Sequence, residues 1–235
     1  MIKLLSPADI ISLANATFGF FAILILISPL ILQEDIRIQI SFSLILLAML
    51  ADGLDGIVAR RTRHGELGEY LEAMADMTSL GIAPAVFLYS VCTGTQPLSA
   101  LVYGGLLIVL LIFLLCSIIR LSSFHKNKHP DFFVGLPASA GTIILLVLGF
   151  INVPLIYIVL VLFVISLAMI SPIRFLKPGW KMNLIAFFLI VLSIGLRHTY
   201  LDVAPLTLFV ALLVYTVVGP FYLKIRPQKK SVVSK

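Results

Sequence analysis

Eight apolar stretches, each long enough to cross a bilayer as a helix, run approximately over residues 8–31, 38–59, 69–92, 98–120, 132–151, 154–171, 183–200 and 203–223. They leave a 235-residue chain with almost nothing from which to build a water-facing domain: 60% of residues are hydrophobic, 12% are charged, and the mean hydropathy is +1.13. The reading is an all-α integral membrane protein of about eight transmembrane helices. Its weakest boundary lies between the fifth and sixth stretches, at residues 152–154.

The cations test this topology. Lys3, Arg60, Arg61, Arg63, Arg120, Lys126, Lys128, Arg174, Lys177, Lys181, Lys224, Arg226, Lys229, Lys230 and Lys235 all fall on one side of an eight-helix arrangement, leaving Arg37 and Arg197 on the other. Fifteen against two places both termini in the cytoplasm. A basic chain of this kind suits an anionic lipid surface, and its cations are too divided among short loops to bind nucleic acid. The first stretch is too long for a signal peptide and has no small-residue cleavage pattern, so it reads as a retained helix. Residues 1–225 form one transmembrane domain, followed by a basic cytoplasmic tail, 226–235, without order. Cys92 and Cys116 have no metal-ligand spacing and read as packing residues.

Against this apolar background, residues 52–76 read DGLDGIVARRTRHGELGEYLEAMAD. Insertion scales put one charged carboxylate at the bilayer centre at roughly 2.5–3.5 kcal/mol, so Asp52, Asp55, Glu72 and Asp76 uncompensated would cost on the order of 10–14 kcal/mol. At about 100° per residue, Asp52, Asp55, Gly56 and Ala59 share one arc of a helix, and Gly68, Glu72 and Asp76 share an arc of the next. Four carboxylates can therefore aim at one point from the cytoplasmic mouth of helices two and three. Oxygen-only ligands favour a hard cation, Mg²⁺ or Mn²⁺, and four acids can serve two ions. Gly56, Ala59 and Gly68 leave room for a bulky ligand to lie against the backbone. A solvated loop, or ion pairs with Arg60, Arg61 or Arg63, explains less, because the acids reach back into apolar sequence on both sides. Glu66 and Glu69 lie on other faces, and the four histidines fall in loops or at helix ends; these groups read as solvated.

The spacing resembles the signature of the CDP-alcohol phosphotransferases, D-x2-D-G-x2-A-R, a spacer, then G-x3-D-x3-D. Asp52, Asp55, Gly56, Ala59, Arg60, Gly68 and Asp76 match it, while Glu72 stands where the family has Asp. Asn15 and Gly19 resemble the N-x3-G of the family's first helix, where the Asn faces the nucleotide pocket. SLGIAPA (79–85), IIRLSSF (118–124) and FVGLPASAG (133–141) resemble segments of the phosphatidylserine and archaetidylserine synthases, with Ser123 and Ser139 as departures. Gly81 and Pro84 in the first of these should loosen the third helix and free carbonyls into the cavity.

The resemblance implies a bundle in which a CDP-linked lipid, CDP-diacylglycerol or CDP-archaeol, passes its lipid phosphate to the hydroxyl of L-serine and releases CMP. It implies metal ligands Asp52, Asp55, Glu72 and Asp76, with Asp76 also the general base. Asn15, Gly56, Ala59, Arg60 and Gly68 would stand around the CDP-lipid, Arg120 would grip the serine carboxylate or a phosphate, and Gly135 and Pro137 would shape the pocket wall. The family is commonly homodimeric. Glycerol phosphate or inositol phosphate as acceptor would need more cations in the cavity than Arg120. A cation-coupled transporter would place its acids at mid-membrane with broken helices in both halves, which this sequence lacks.

The Glu72 departure can be tested directly. If Glu72 is a working ligand, Glu72→Ala is inactive, whereas Glu72→Asp retains activity with a changed preference between Mg²⁺ and the more tolerant Mn²⁺. If the extra methylene instead degrades the site, Glu72→Asp raises the rate of CMP release by about tenfold, equivalent to roughly 1.4 kcal/mol of barrier. Unchanged activity in Glu72→Ala removes the residue from the site.

Overall fold

The computed structural model describes residues 5–28, 33–59, 67–94, 99–124, 132–149, 154–177 and 180–195, together with scattered helical positions between 207 and 219. Helix α1, Pro7–Ile27, opens on a capping box: the Ser6 hydroxyl accepts from the Asp9 amide at 3.3 Å and the Ser6 amide donates to Asp9 Oδ2 at 2.7 Å. Pro7 occupies the first turn, where its missing N–H costs nothing. Along α1 the positions facing the protein are Asp9, Ser12, Asn15, Gly19, Ala22 and Leu26, one helical face, while Ile10, Phe20, Phe21 and Ile27 point outward. The inward face is polar in its first half and apolar in its second. A single helix thus carries both a site wall and a core wall.

Helix α2, Glu34–Ala59, returns alongside α1. Ser41 ties the pair by donating to the Ala22 carbonyl at 3.0 Å. Arg37, one of the two cations expected at the far side, donates Nη1 to the Leu26 carbonyl at 3.1 Å. A cation there answers the unpaired carbonyls and partial negative charge at the C-terminus of α1.

The third apolar stretch is continuous from 68 to 94 but not uniform. Helix α3, Gly68–Asp76, passes into a π-helical segment, Met77–Ile82, and then into α4, Ala83–Gly94. Pro84 has no amide to offer the carbonyl four residues earlier, that of Leu80. The expected loosening is present, but the freed carbonyl does not face a cavity, because Thr142 Oγ1 donates to it at 2.9 Å. At this wide turn α1 comes closest: a Cβ built on Gly19 would lie 2.6 Å from Ser79 Cα. Small residues at such a crossing let backbones approach, as they do in membrane bundles generally.

Helix α5, Ala100–Phe124, leads to strand β1, Phe132–Val134, then α6, Ala138–Leu148, and α7, Leu155–Ile170. Strand β2, Arg174–Leu176, precedes α8, Trp180–Gly195. The strands correct the sequence reading, which ran the fifth helix from 132. Residues 132–134 are extended and pair antiparallel with β2, Phe133 facing Phe175. Helix cannot pass through this point, since Gly135 takes φ 79° and Pro137 forces its predecessor out of helical conformation. A side chain at Gly135 would also overlap the Met169 carbonyl.

Among the described residues, four segments have the length and composition to cross a membrane: Pro7–Ile27, Glu34–Ala59, Gly68–Gly94 and Ala100–Phe124. Three further apolar helices among the described residues, Ala138–Leu148, Leu155–Ile170 and Leu184–Ile194, are shorter. The core lies where α2, α4, α5, α6 and α7 meet, around Phe42, Phe87, Phe113, Leu145 and Leu162. Both cysteines are buried and free, as expected of packing residues.

Two glycines provide a matched test. Gly19→Ala should force α1 away from the Ser79 backbone and lower the melting temperature in detergent, at a cost of about 1–3 kcal/mol. Gly56 has nothing within 4 Å of an added Cβ, so Gly56→Ala, inside α2, should melt at or slightly above wild type. Equal melting of Gly19→Ala and wild type would contradict the close crossing.

Candidate active site

α1 and the 68–82 segment run parallel, and their contacts step in register. Gly68 lies against Asp9, with an added Cβ 3.1 Å from Asp9 Oδ1; Asn15 Nδ2 donates to Asp76 Oδ1 at 2.9 Å; Gly19 lies against Ser79. The backbone contact at Gly19 therefore sets the reach of Asn15, one turn before it, to Asp76, one turn before Ser79. α2 delivers its acids to the same face of α1, where Ser12 Oγ donates to Asp55 Oδ2 at 2.6 Å. Ser12 and Asn15, three residues apart on one helix face, each hold one carboxylate from a different neighbouring helix.

All four predicted acids gather here. Asp55 and Asp76 are buried, and Asp52 and Glu72 are half-buried. Asp52 and Asp76 are within hydrogen-bonding reach of each other, and Asp55 and Glu72 add negative potential at Asp52. Ser6, Asp9, Ser12, Asp55, Ala59, Gly68 and Glu72 line a cleft of about 20 Å³, room for roughly one water or one ion. Among the described residues no three His, Cys, Asp or Glu side chains close on a single point as a bound metal requires. The donor set is oxygen alone, the pattern that suits Mg²⁺ or Mn²⁺. The carbonyl of Asn15 also remains buried without a hydrogen-bond partner, so the site holds acceptors in excess of donors, as a cation site should.

Other expected residues separate from this cluster. Gly56 faces open space, consistent with a surface left clear for a ligand, whereas Gly68 makes room for Asp9 instead. Arg60 and all four histidines lie outside the described residues. Arg120 is buried at 5% exposure, so it does not snorkel to the boundary as an anchor. Its Nε donates to the Leu136 carbonyl at 3.2 Å and its guanidinium lies 5.5 Å from the Phe124 ring centre. Gly135 and Leu136 in turn donate to the Ile173 and Ala168 carbonyls. Arg120, Gly135 and Pro137 thus form a second cluster that ties α5 to the end of α7 and contributes nothing to the lining of the acidic cleft.

Three site residues escaped the sequence reading: Ser6, Asp9 and Ser12. The signal was available, since S-x-x-D opening an apolar run is a capping box, and 9, 12 and 15 share a helical face.

A family model for CDP-alcohol phosphatidyltransferase matches residues 5–218. The chain belongs to that family. It is an integral membrane transferase of the CDP-alcohol phosphatidyltransferase type. It is 33% identical over 202 residues to the CDP-diacylglycerol–serine O-phosphatidyltransferase of Methanocaldococcus jannaschii, covering 83% of this chain and 87% of that protein. To the archaetidylserine synthase of Methanothermobacter thermautotrophicus it is 36% identical over 140 residues, 57% of this chain and 54% of that one. To the CDP-diacylglycerol–serine O-phosphatidyltransferase of Saccharomyces cerevisiae it is 31% identical over 160 residues, 63% and 54% of the two chains.

The donors on α1 are separable from the acids. Ser12→Ala, which strips a charge-assisted hydrogen bond from buried Asp55, should cost about 1.5–3 kcal/mol, whereas Ser12→Thr keeps the hydroxyl and most of the stability. Melting of the metal-free protein in detergent distinguishes them; Ser12→Ala as stable as Ser12→Thr would show that the bond does not hold the site.

Proposed function

We propose that the enzyme transfers the lipid phosphate of a CDP-linked lipid to the hydroxyl of L-serine and releases CMP. The observation that carries this reading is the pairing of buried Asp76 with Asn15 and Asp52, beside a cleft lined by Asp55 and Glu72. Relatives bearing serine-transferase names lend it the acceptor.

Asp76 acts as general base. It takes the proton of the serine hydroxyl as that oxygen forms its bond to the lipid-side phosphorus, the bond from phosphorus to the CMP oxygen breaks, and CMP departs with the electron pair. Asn15 fixes one oxygen of Asp76 and hence the direction in which the carboxylate can accept. Members of the family generally depend on divalent metal, and Asp52, Asp55 and Glu72 would hold two ions, Mg²⁺ or Mn²⁺, with Asp76 beside them. When bound, such ions neutralise the diphosphate and stabilise charge on the leaving CMP. Gly56 and Ala59, with Arg60 beyond the described residues, would border the nucleotide.

Arg120 is the only buried Lys or Arg among the described residues. A single buried guanidinium suits one carboxylate better than a phosphorylated alcohol, but it stands in the cluster apart from the acidic cleft, so the serine must reach from Asp76 to the nitrogens that Leu136 does not engage. The acidic end and both termini lie on the cytoplasmic side, the bundle crosses the membrane eight times, and the protein works as a homodimer. These belong to the same proposal.

CMP release from CDP-lipid, measured in detergent with a panel of alcohols, tests it. Turnover is expected with L-serine and not with glycerol phosphate or inositol phosphate. In Asp76→Asn, CDP-lipid binding should persist while transfer stops, because an amide takes no proton. Preference for another alcohol would replace the acceptor, and normal turnover by Asp76→Asn would move the base elsewhere.

A further inference from the structure

A second cleft, roomier than the one at the acids, lies elsewhere in the bundle. It occupies about 230 Å³ between Leu26 at the end of α1, Glu34, Arg37 and Ile38 at the start of α2, and Ser90, Thr93 and Gly94 at the end of α4. Counting about 1.5 Å per residue along α1, α2 and the 68–94 segment, it stands roughly 25–30 Å from the acidic cleft, at the opposite end of the bundle. Its volume is many times the roughly 10–15 Å³ that one water requires, so it fits a small polar group.

The charges on its wall are opposite in sign and separately oriented. Arg37 donates Nη1 to the Leu26 carbonyl, while its Nε is buried with no hydrogen-bond partner. A guanidinium with an unused Nε edge offers the two-point grip that a phosphate accepts. Glu34, one turn earlier on α2, has its carboxylate packed so tightly on Gly94 that a Cβ there would overlap it. That carboxylate stands at the C-terminus of α4, where the helix already presents partial negative charge. Glu34 opens α2, whose N-terminus favours its charge, and beside the carbonyl end of α4 its carboxylate makes a negative spot that attracts a cation. Glu34 and Arg37 are neighbours on one helix face, about 5–6 Å apart at their Cβ atoms. The cleft therefore asks for a ligand that carries an anion and a cation close together.

We propose that this cleft binds the zwitterionic head group of a phosphate ester bearing an ammonium, with the phosphate on Arg37 and the ammonium between Glu34 and the end of α4. The site is independent of the acidic cleft and of the reaction proposed for it.

The test uses the full-length protein, delipidated in detergent and saturated with CDP-lipid so that the acidic end is filled. Dihexanoylphosphatidylethanolamine, dihexanoylphosphatidylglycerol and free O-phosphoethanolamine are titrated, read by melting temperature and by native mass spectrometry. The amine lipid should bind wild type about tenfold more tightly than the glycerol lipid. Glu34→Gln should erase that preference, and Arg37→Gln should weaken both lipids. Competition by O-phosphoethanolamine at matching concentration identifies the soluble head group as sufficient, and binding of the lipid alone identifies a membrane lipid as the occupant. CMP release reports that each variant is folded. If Arg37→Gln does not fold, Glu34→Gln decides alone. Equal binding of the two lipids by folded wild type, a preference that survives Glu34→Gln, or no binding of any probe overturns the proposal.

Discussion

The site depends on one close approach, the crossing of Gly19 over Ser79 at the π-helical turn. A side chain at position 19 would hold the helices apart by the thickness of a methyl group or more. With the backbones in contact, the polar half of α1 comes down onto two acid-bearing helices at once. Ser12 then meets Asp55 and Asn15 meets Asp76. Pro84 contributes from the other side, since its missing amide leaves the Leu80 carbonyl to Thr142 and so joins the distorted turn to α6.

Electrostatics explains why donors stand where they do. Carboxylates in or beside a bilayer are costly unless neutralised or hydrogen-bonded, and each donor from α1 lowers the cost of one of them without cancelling its charge. Asp52 and Asp76 remain close together with Asp55 and Glu72 nearby. This is a negative focus held in a fixed scaffold, suited to a hard cation, which would in turn meet the negative charge that develops on a diphosphate leaving group.

The acids and their grouping were legible because charged residues in apolar sequence have few alternatives, and their three- and four-residue spacings map directly onto helix faces. The helical stretches were legible for the same reason. Asp9 was not read, because an aspartate at the start of a helix is accounted for by capping alone, and Ser12 was not, because its role depends on which helix lies opposite. The strand at Phe132–Val134 was hidden by hydropathy, which does not distinguish an extended apolar triplet from a helical one; Gly135 and Pro137 were noticed for a pocket rather than for the helix break they impose. Arg120 was assigned to the site by resemblance, and the bond to Leu136 that fixes it could not be foreseen without the path of the chain between α5 and α6.

The central claim is that α1 holds Asp55 and Asp76 from two neighbouring helices where, with Asp52 and Glu72, they can close on a divalent cation. The most direct measurement is the melting temperature of the purified protein in detergent, without substrate, as Mg²⁺ or Mn²⁺ is titrated. The account predicts a saturable rise in wild type, by mass action on the folded state, that is largely lost in Asp52→Asn and Asp55→Asn. A melting temperature indifferent to either ion in an active wild-type preparation, or an equal rise in both variants, would contradict it.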